Sequence, residues 1–247
     1  MPEGKEGKKE FLDRLHPVLP PEAVSHIKHA YRDSKFSHRW QKRKSRDENG
    51  DRIRYFEHCR AAALIYIDEV GGSQPEMIIS LLDHDLLEDT DVTAIDLGYW
   101  YGPYSREVAR IVRLVSKVPE EGYVERLNRY ADWKALMVKA CDRLANLRDL
   151  EDTEPEFRRK QARETREKYF PLFDRMVEMT PPEWRVGAEY LRSEIRKITA
   201  GYDTVSAPDG GERRRNQERS ESATDGGLHR ARPPHQPPPE SGSPRDS

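Results

Sequence analysis

The sequence has few hydrophobic residues and no long apolar run. Only 35% of its 247 residues are hydrophobic, and the mean hydropathy is −0.97. The longest apolar stretches, around Ala61–Ile67 and Met77–Leu82, are far shorter than the roughly 18 residues that a membrane-spanning helix needs. Residues 1–10 carry Lys and Glu without a hydrophobic core, so we expect no secretory signal. We therefore expect a cytoplasmic protein without a membrane partner.

The sequence also has few cysteines and almost no net charge. Cys59 and Cys141 are the only cysteines, and both fall in apolar helical patterns, which favours structural thiols in a reducing compartment over a disulfide. The 43 basic and 45 acidic residues give a formal charge of −2. Because the chain as a whole has no broad positive field, we expect no nucleic-acid partner, although a local basic patch is compatible with this total. The oligomeric state has no signal in the sequence.

Large hydrophobic residues are missing from the C-terminal part of the chain. Residues 203–247 contain only Val205 and Leu228 as branched aliphatics, and they hold seven of the 18 prolines. We predict a disordered tail, because such a composition cannot bury a core. Its proline-rich stretch, residues 234–244, is alternatively a ligand for a proline-recognising partner. The remaining chain divides into a polar N-terminal extension, residues 1–19, and a folded domain, residues 20–202.

Apolar residues of the folded domain recur at helical spacing. We predict helices over residues 23–31, 55–70, 75–88, 93–98, 105–115, 133–150, 154–179 and 182–199. No segment of strand length alternates clearly between apolar and polar residues, and no internal repeat is present. The pattern predicts an all-α bundle of about seven or eight helices.

Four potential metal ligands occur on three of these predicted helices. They are His58, the adjacent pair His84 and Asp85, and Asp142, with 26 residues from His58 to His84 and 57 from Asp85 to Asp142. Ligands that are distant in sequence can meet in the core of a helical bundle. Imidazole and carboxylate groups without a thiolate suit Mn²⁺ or Fe²⁺ better than a structural zinc ion. Four protein ligands leave positions for water and a phosphate oxygen on a six-coordinate ion.

Acidic or polar residues follow three of the ligands by one helical turn. The pairs, each four residues apart, are His84 and Glu88, Asp85 and Asp89, and Asp142 and Asn146. Burying carboxylates among aliphatic side chains costs several kcal/mol per ion unless a metal or hydrogen bonds offset it. Taken singly, the Glu88–Asp89 pair is better explained as a solvated helix end or as a cap for the turn over residues 90–93. Asp142 with Arg143 is compatible with an ordinary surface ion pair. Their conjunction favours a metal site.

The motifs around these residues resemble those of a known family. The segments HRWQKRK, RYFEH, LLDHDLLEDTDVT, REVARIVRLVSKV, VKACDRLANLRDL and KQARETREKYFPL occur in the same order and at nearly the same spacing as in the HD hydrolase domain of the RelA/SpoT homologues. The resemblance covers about residues 23–172. A His-Asp dipeptide alone is a weak signal, whereas the whole series is specific.

The resemblance implies an HD-domain helical bundle with manganese-dependent pyrophosphohydrolase activity. The implied substrates are guanosine tetra- and pentaphosphate, the (p)ppGpp alarmones of the stringent response, which are hydrolysed to GDP or GTP and pyrophosphate. The implied metal ligands are His58, His84, Asp85 and Asp142, binding Mn²⁺ with Fe²⁺ as the alternative. The implied catalytic pair is Glu88 and Asp89, whose separate roles as acid and base stay open. The implied substrate-binding residues are Arg43, Lys44, Asn146, Lys139, Arg143, Thr165 and Tyr169.

The chain departs from the family pattern at three places. Residues 45–51 are a polar insertion, Cys59 stands where the family commonly has proline, and Ala145 replaces a histidine. None of these changes removes an implied metal ligand. A synthetase domain like that of the larger family members has no counterpart in the sequence, so we expect a stand-alone small alarmone hydrolase.

Two alternative functions stay open from the sequence. The first is another phosphohydrolase of the HD superfamily that acts on a different nucleotide or on a dinucleotide cofactor. The second is a non-catalytic nucleotide-binding protein that retains the scaffold. The presence of all four ligands together with Glu88 and Asp89 favours an enzyme over the second alternative.

Overall fold

Helices make up nearly all of the regular structure, which confirms the all-α prediction. The computed structural model describes residues 7–47, 49–151 and 153–204. The helices are α1 (Lys8–Asp13), α2 (Pro21–Ser37), α3 (Phe56–Leu64), α4 (Pro75–Asp83), α5 (Leu86–Asp89), α6 (Ala94–Trp100), α7 (Ser105–Val115), α8 (Tyr123–Tyr130), α9 (Trp133–Arg148), α10 (Pro155–Glu164), α11 (Phe170–Met179) and α12 (Pro182–Thr204). Two strands, β1 (Lys42–Arg46) and β2 (Arg52–Arg54), form an antiparallel hairpin between α2 and α3.

Helix α9 lies at the centre of the bundle. It packs against α3, α4, α7, α11 and α12, and twelve of its sixteen residues are buried. Asp132 caps its first turn by accepting a hydrogen bond from the Ala135 N–H. A helix buried on all sides is typical of a bundle interior. The polar residues that α9 buries, Lys139, Asp142 and Arg143, therefore need partners inside the protein.

The hairpin is a feature that the sequence prediction missed. Within residues 45–51, interpreted as a polar insertion, Ser45 and Arg46 end β1, and the described residues after them belong to the turn. The Asp47 carboxylate accepts hydrogen bonds from the N–H groups of Asn49 and Asp51, at 3.1 and 2.9 Å. Gly50 adopts a left-handed φ of 82°, which a residue with a side chain rarely adopts. The turn chemistry, rather than apolar alternation, thus explains the strand pairing.

Three long predicted helices are interrupted or change type. The helix predicted over residues 55–70 continues beyond α3 as a π-helical segment, Ile65–Glu69. The helix predicted over residues 75–88 ends at Asp83, and His84 and Asp85 form a turn before α5. The helix predicted over residues 154–179 contains a π-helical segment, Thr165–Tyr169, between α10 and α11. His84 and Glu88 therefore do not share a continuous helix, whereas Asp89 stays one turn from Asp85, to whose carbonyl its N–H donates at 3.0 Å.

The N-terminal segment packs on the core. Residues 1–19 were expected to be a polar extension, but α1 and the turn after it bury Phe11 and Leu15 completely. The Phe11 ring lies 5.2 Å from Tyr31, and Tyr31 lies 4.7 Å from Phe56, between ring centroids. This aromatic chain joins α1 to α2 and α3.

The outer parts of the chain are only partly described. Of the predicted tail, Asp203 and Thr204 complete α12, and residues 205–247 lie outside the described residues, as do residues 1–6. Cys59 and Cys141 are both buried free thiols, as expected. Within the described parts of the chain, no helix combines the length and apolar character required for crossing a bilayer.

Candidate metal centre

Two histidines and two carboxylates meet where α3, α4 and α9 pack together. His58 Nε2 lies 3.1 Å from Asp142 Oδ1 and 3.9 Å from Asp85 Oδ2. His84 Nε2 lies 3.1 Å from Asp85 Oδ2 and 3.4 Å from Asp142 Oδ1. Potential ligand atoms of His58, His84 and Asp85 all lie within 4.8 Å of one another. The structure therefore brings together the four residues proposed as ligands from three separate segments.

The hydrogen bonding of His84 prepares its ring for a metal ion. Its Nδ1 lies 2.8 Å from the Leu81 carbonyl oxygen, so this nitrogen carries the proton and donates it. Its Nε2 is buried and makes no hydrogen bond with the described residues. A metal-binding histidine commonly has this arrangement, in which one nitrogen is fixed by a carbonyl and the other faces the ion. The donor set thus fits a divalent cation.

Three of these groups have strongly shifted pKa values. Burial would raise the pKa of the Asp85 carboxyl, but His84 outweighs this effect and holds the pKa below its usual range. Burial likewise opposes ionisation of Asp142, whose pKa is lowered chiefly by Lys139 and His84. Burial alone would lower the pKa of His84, yet the two carboxylates raise it well above the ordinary value. The two carboxylates thus concentrate negative charge, part of which the His84 proton balances. A bound divalent ion would balance this charge in place of that proton.

Asp142 has further partners on its own helix. Lys139 Nζ donates a hydrogen bond to Asp142 Oδ2 at 2.8 Å, and Asn146 Nδ2 donates to Asp142 Oδ1 at 2.6 Å. The expected one-turn relation between Asp142 and Asn146 is therefore present on the continuous helix α9. These donors fix the orientation of the Asp142 carboxylate.

Tyr55 is a contributor to the site that the sequence did not single out. Its hydroxyl donates a hydrogen bond to Asp85 Oδ2 at 2.8 Å. The His38 ring stacks on the Tyr55 ring at a centroid distance of 4.9 Å, and His38 Nδ1 lies 2.7 Å from Gln41 Oε1. The only sequence signal for Tyr55 is its position three residues before His58, next to the first turn of α3.

The proposed catalytic carboxylates lie at the edge of this cluster. Glu88 is half-buried, and its Oε1 accepts a hydrogen bond from the Lys117 backbone N–H at 2.7 Å. Burial raises the pKa of Glu88 above its ordinary value, although the Lys117 N–H opposes that change. Asp89 is exposed, and its backbone carbonyl accepts a hydrogen bond from Gln41 Nε2 at 2.5 Å. The two carboxylates therefore differ in environment.

The residues before the first histidine line a cavity of about 390 Å³. Arg43 Nη2 donates to Asn146 Oδ1 at 2.7 Å and to Asp149 Oδ2 at 3.0 Å. Lys44 is exposed and its ammonium lies 5.7 Å from the centre of the Phe157 ring. Alternation along β1 leaves Arg43 half-buried and Lys44 exposed, and Arg43 reaches Asn146, which in turn bonds to Asp142. The acceptor Asp149 was not foreseen from the sequence.

The remaining predicted substrate residues form a buried cluster between α9 and the π-helical segment. Arg143 Nε donates to Thr165 Oγ1 at 2.8 Å, and its guanidinium lies 5.0 Å from the centre of the Tyr169 ring. The Lys139 ammonium lies 6.0 Å from the same ring. Of these four residues, Arg143 also lines the cavity that contains Arg43. The π-helical segment places Thr165 and Tyr169 against α9.

Comparison with known protein families shows which family the chain belongs to. Residues 36–176, more than half of the chain, match the model of the HD domain. The chain belongs to the HD-domain family. The matched segment contains all four proposed ligands of this HD-domain protein, together with Glu88, Asp89 and the hairpin.

Curated relatives of this HD-domain protein support the resemblance expected from its sequence. The bifunctional (p)ppGpp synthase/hydrolase SpoT of Escherichia coli K12 is 27% identical over 209 residues, which are 79% of this chain and 26% of that protein. The guanosine-3′,5′-bis(diphosphate) 3′-pyrophosphohydrolase of Aquifex aeolicus VF5 is 33% identical over 182 residues, 70% of this chain and 24% of that one. The chain thus spans about a quarter of the length of these relatives.

A solved structure confirms the fold. It is that of a metazoan orthologue of SpoT, described as hydrolysing ppGpp, with a TM-score of 0.51 at 23% identity. The alignment covers 72% of this HD-domain chain and 97% of the other. At this identity the likeness establishes the shared helical architecture.

Proposed function

We propose that the protein is a metal-dependent hydrolase of (p)ppGpp that releases pyrophosphate from the ribose 3′ position. The observation that carries this proposal is the convergence of His58, His84, Asp85 and Asp142 beside a cation-lined cavity. Relatives named as (p)ppGpp hydrolases share the segment that holds these residues. The proposal concerns hydrolysis only.

The four ligand residues would hold one divalent cation, for which Mn²⁺ is our first candidate and Fe²⁺ the second. Such an ion supplies Lewis-acid activation of water and of the phosphoryl group when it is bound. Tyr55, Lys139 and Asn146 hold the two carboxylates in place through their hydrogen bonds. These contacts limit the reorganisation that metal binding requires.

Glu88 and Asp89 would handle the protons of the reaction. Hydrolysis forms a bond between a water oxygen and the phosphorus attached to the ribose 3′-oxygen, and the bond from that phosphorus to the ribose breaks. One proton leaves the water, and one proton must reach the departing ribose oxygen. The pKa of Glu88, raised by burial, suits a group that exchanges protons nearer to neutral pH. Asp89 is exposed, so the two carboxylates differ in their access to solvent and suit different roles.

The cavity would take the nucleotide and its phosphates. Arg43 and Lys44 line it on the hairpin side, while Leu147, Leu150 and Phe157 provide apolar surface. A guanidinium can bind phosphate oxygens in a bidentate manner, and an ammonium contributes a point charge. Arg43 now pairs with Asp149, and substrate phosphate would compete for the same guanidinium.

A substrate panel tests this assignment. The purified protein is incubated with Mn²⁺ and ppGpp, pppGpp, or a dinucleotide carrying a 2′- or 3′-phosphate, in ¹⁸O-labelled water. We expect pyrophosphate from the first two substrates only, with the label in pyrophosphate. Release of phosphate from the dinucleotide without pyrophosphate from ppGpp would reject the proposal and favour a different HD phosphohydrolase.

Variants separate metal binding from catalysis. Asp85→Ala and His58→Ala should lose metal and activity together, because each removes a ligand. Glu88→Ala should keep the metal and lose turnover. Metal analysis of each purified variant accompanies the assay, and undiminished turnover of Glu88→Ala would remove Glu88 from the mechanism.

A further inference from the structure

A second cationic surface lies outside the cavity just described. Residues 32–54 contain nine Lys and Arg residues against four Asp and Glu, whereas the whole chain has a net charge of −2. Four of these cations, from the C-terminal end of α2 and from β2, surround a cleft of about 300 Å³. The cleft is lined by Arg32, Lys35, Phe36, Arg39 and Arg54, among others. The near-neutral total charge concealed this local concentration.

The hairpin crowds like charges on one face. Lys42 lies opposite Arg54, and Arg46 lies opposite Arg52, and all four side chains are exposed. Like charges directly opposite each other on paired strands are destabilising. The side chains of Lys35 and Arg54 form no ion pair or hydrogen bond with other described residues. A polyanionic ligand would remove this repulsion.

Two large aromatic side chains stand beside these charges. Phe36 is 63% exposed and Trp40 is 84% exposed. The Arg39 guanidinium lies 4.0 Å from the centre of the Phe36 ring and 5.7 Å from that of Trp40. Exposed rings with interleaved cations are the arrangement on which unpaired nucleobases stack while lysine and arginine contact the phosphates.

We propose that this surface, formed by Lys35, Phe36, Arg39, Trp40, Arg52 and Arg54, binds single-stranded nucleic acid. Trp40 and Phe36 stack on bases, and Lys35, Arg52 and Arg54 contact the backbone. Charge complementarity favours a polyanion, and the aromatic rings favour one that carries planar groups. An anionic membrane surface also attracts basic residues and tryptophan, but a concave cleft fits a nucleobase better than a flat bilayer. This proposal is independent of the hydrolase assignment.

Fluorescence anisotropy with a labelled 12-nucleotide single-stranded RNA tests the proposal on the full chain. We expect saturable binding that weakens between 50 and 200 mM KCl. Trp40→Ala should raise the Kd roughly fivefold to a hundredfold, as expected for losing one stacked base. Lys35→Gln combined with Arg54→Gln should reduce the slope of log Kd against log salt by about 1.4, or about 0.7 for each lost phosphate contact.

Matched variants on another face serve as controls. Tyr99 is 81% exposed on α6, and Arg113 lies on α7, so Tyr99→Ala and Arg113→Gln should leave RNA binding unchanged. Circular dichroism verifies folding of every variant. Binding that is unchanged in the Trp40 and Lys35/Arg54 variants would come from other cations, such as those in residues 213–219, and would overturn the proposal. Absence of RNA binding together with sedimentation on vesicles of phosphatidylcholine and phosphatidylglycerol would overturn it in favour of a membrane surface.

Discussion

At the scale of single residues, substitution of Tyr55 tests whether its hydroxyl orients the proposed metal ligand Asp85. Tyr55→Phe removes the hydrogen bond to Asp85 Oδ2 and leaves the ring stacked on His38. Because groups that orient a ligand typically change metal affinity by about 10- to 100-fold, we expect the Mn²⁺ Kd to rise by about that factor, as measured by calorimetry. Tyr104→Phe is the control, because the Tyr104 ring contacts His26 rather than a proposed ligand. Equal Mn²⁺ affinity in wild type and Tyr55→Phe would show that the hydroxyl does not position the ligand.

Asp83 gives a pH dependence to stability. It is completely buried and accepts a hydrogen bond from the Tyr101 hydroxyl at 2.6 Å. Burial raises the pKa of Asp83 from 3.8 to about 8. The folded protein therefore keeps a proton that the unfolded chain loses above pH 3.8, so stability falls as pH rises towards about 8.

The variant Asp83→Asn isolates this contribution. The amide cannot ionise, yet its oxygen still accepts from Tyr101. Between pH 5.5 and 7.5, in the presence of EDTA, the free energy of unfolding should fall more steeply for wild type than for the variant. The difference in slope is at most about 1.4 kcal/mol per pH unit, measured by urea unfolding. Parallel pH profiles would mean that Asp83 is ionised in the folded protein.

At the scale of secondary-structure elements, two glycines have opposite surroundings. A Cβ on Gly72 would overlap the Tyr66 ring, whereas a Cβ on Gly98, within α6, would meet no atom within 4 Å. Gly72→Ala should therefore destabilise the protein by about 1–3 kcal/mol through overpacking. Gly98→Ala should stabilise it by about 0.5–1 kcal/mol, because alanine suits a helix interior better. Thermal and urea unfolding measure both, and equal effects would contradict the packing around Tyr66.

Some helices could be predicted from apolar periodicity, whereas other elements could not. Periodic apolar residues predicted α7 and α9 well, because each places several aliphatic side chains in the core at helical spacing. Helix α8 was missed because it buries only Tyr123 and Leu127. The hairpin was missed because its strands are cationic rather than alternating. Its turn did carry a signal in Asn49-Gly50, a dipeptide common in hairpin turns.

The candidate site was partly predictable for the same physical reasons. The four ligand residues stood out because buried carboxylates and histidines in apolar segments need compensation. The contacts that orient them could not be read from the sequence. Tyr55 and Asp85 are 30 residues apart, and Arg43 and Asp149 are 106 apart, so tertiary packing alone brings them together. The break between α4 and α5 also depended on packing rather than on helix propensity.

At the scale of the whole molecule, the bundle separates two kinds of cationic surface. Arg43 lines the cavity and bonds to Asn146 and Asp149, while the end of α2 and strand β2 present cations and aromatic rings to solvent. The central claim is that the first of these surfaces, with a divalent ion held by His58, His84, Asp85 and Asp142, hydrolyses (p)ppGpp.

Pyrophosphate release from ppGpp by the wild-type protein, stripped of metal and then reloaded, tests this claim most directly. We expect no turnover in the stripped protein and restored turnover with about one Mn²⁺ bound per chain. The same reloading should restore nothing in Asp85→Ala. Turnover that is the same before and after stripping, or a reloaded protein that binds Mn²⁺ and releases no pyrophosphate from ppGpp, would contradict the claim.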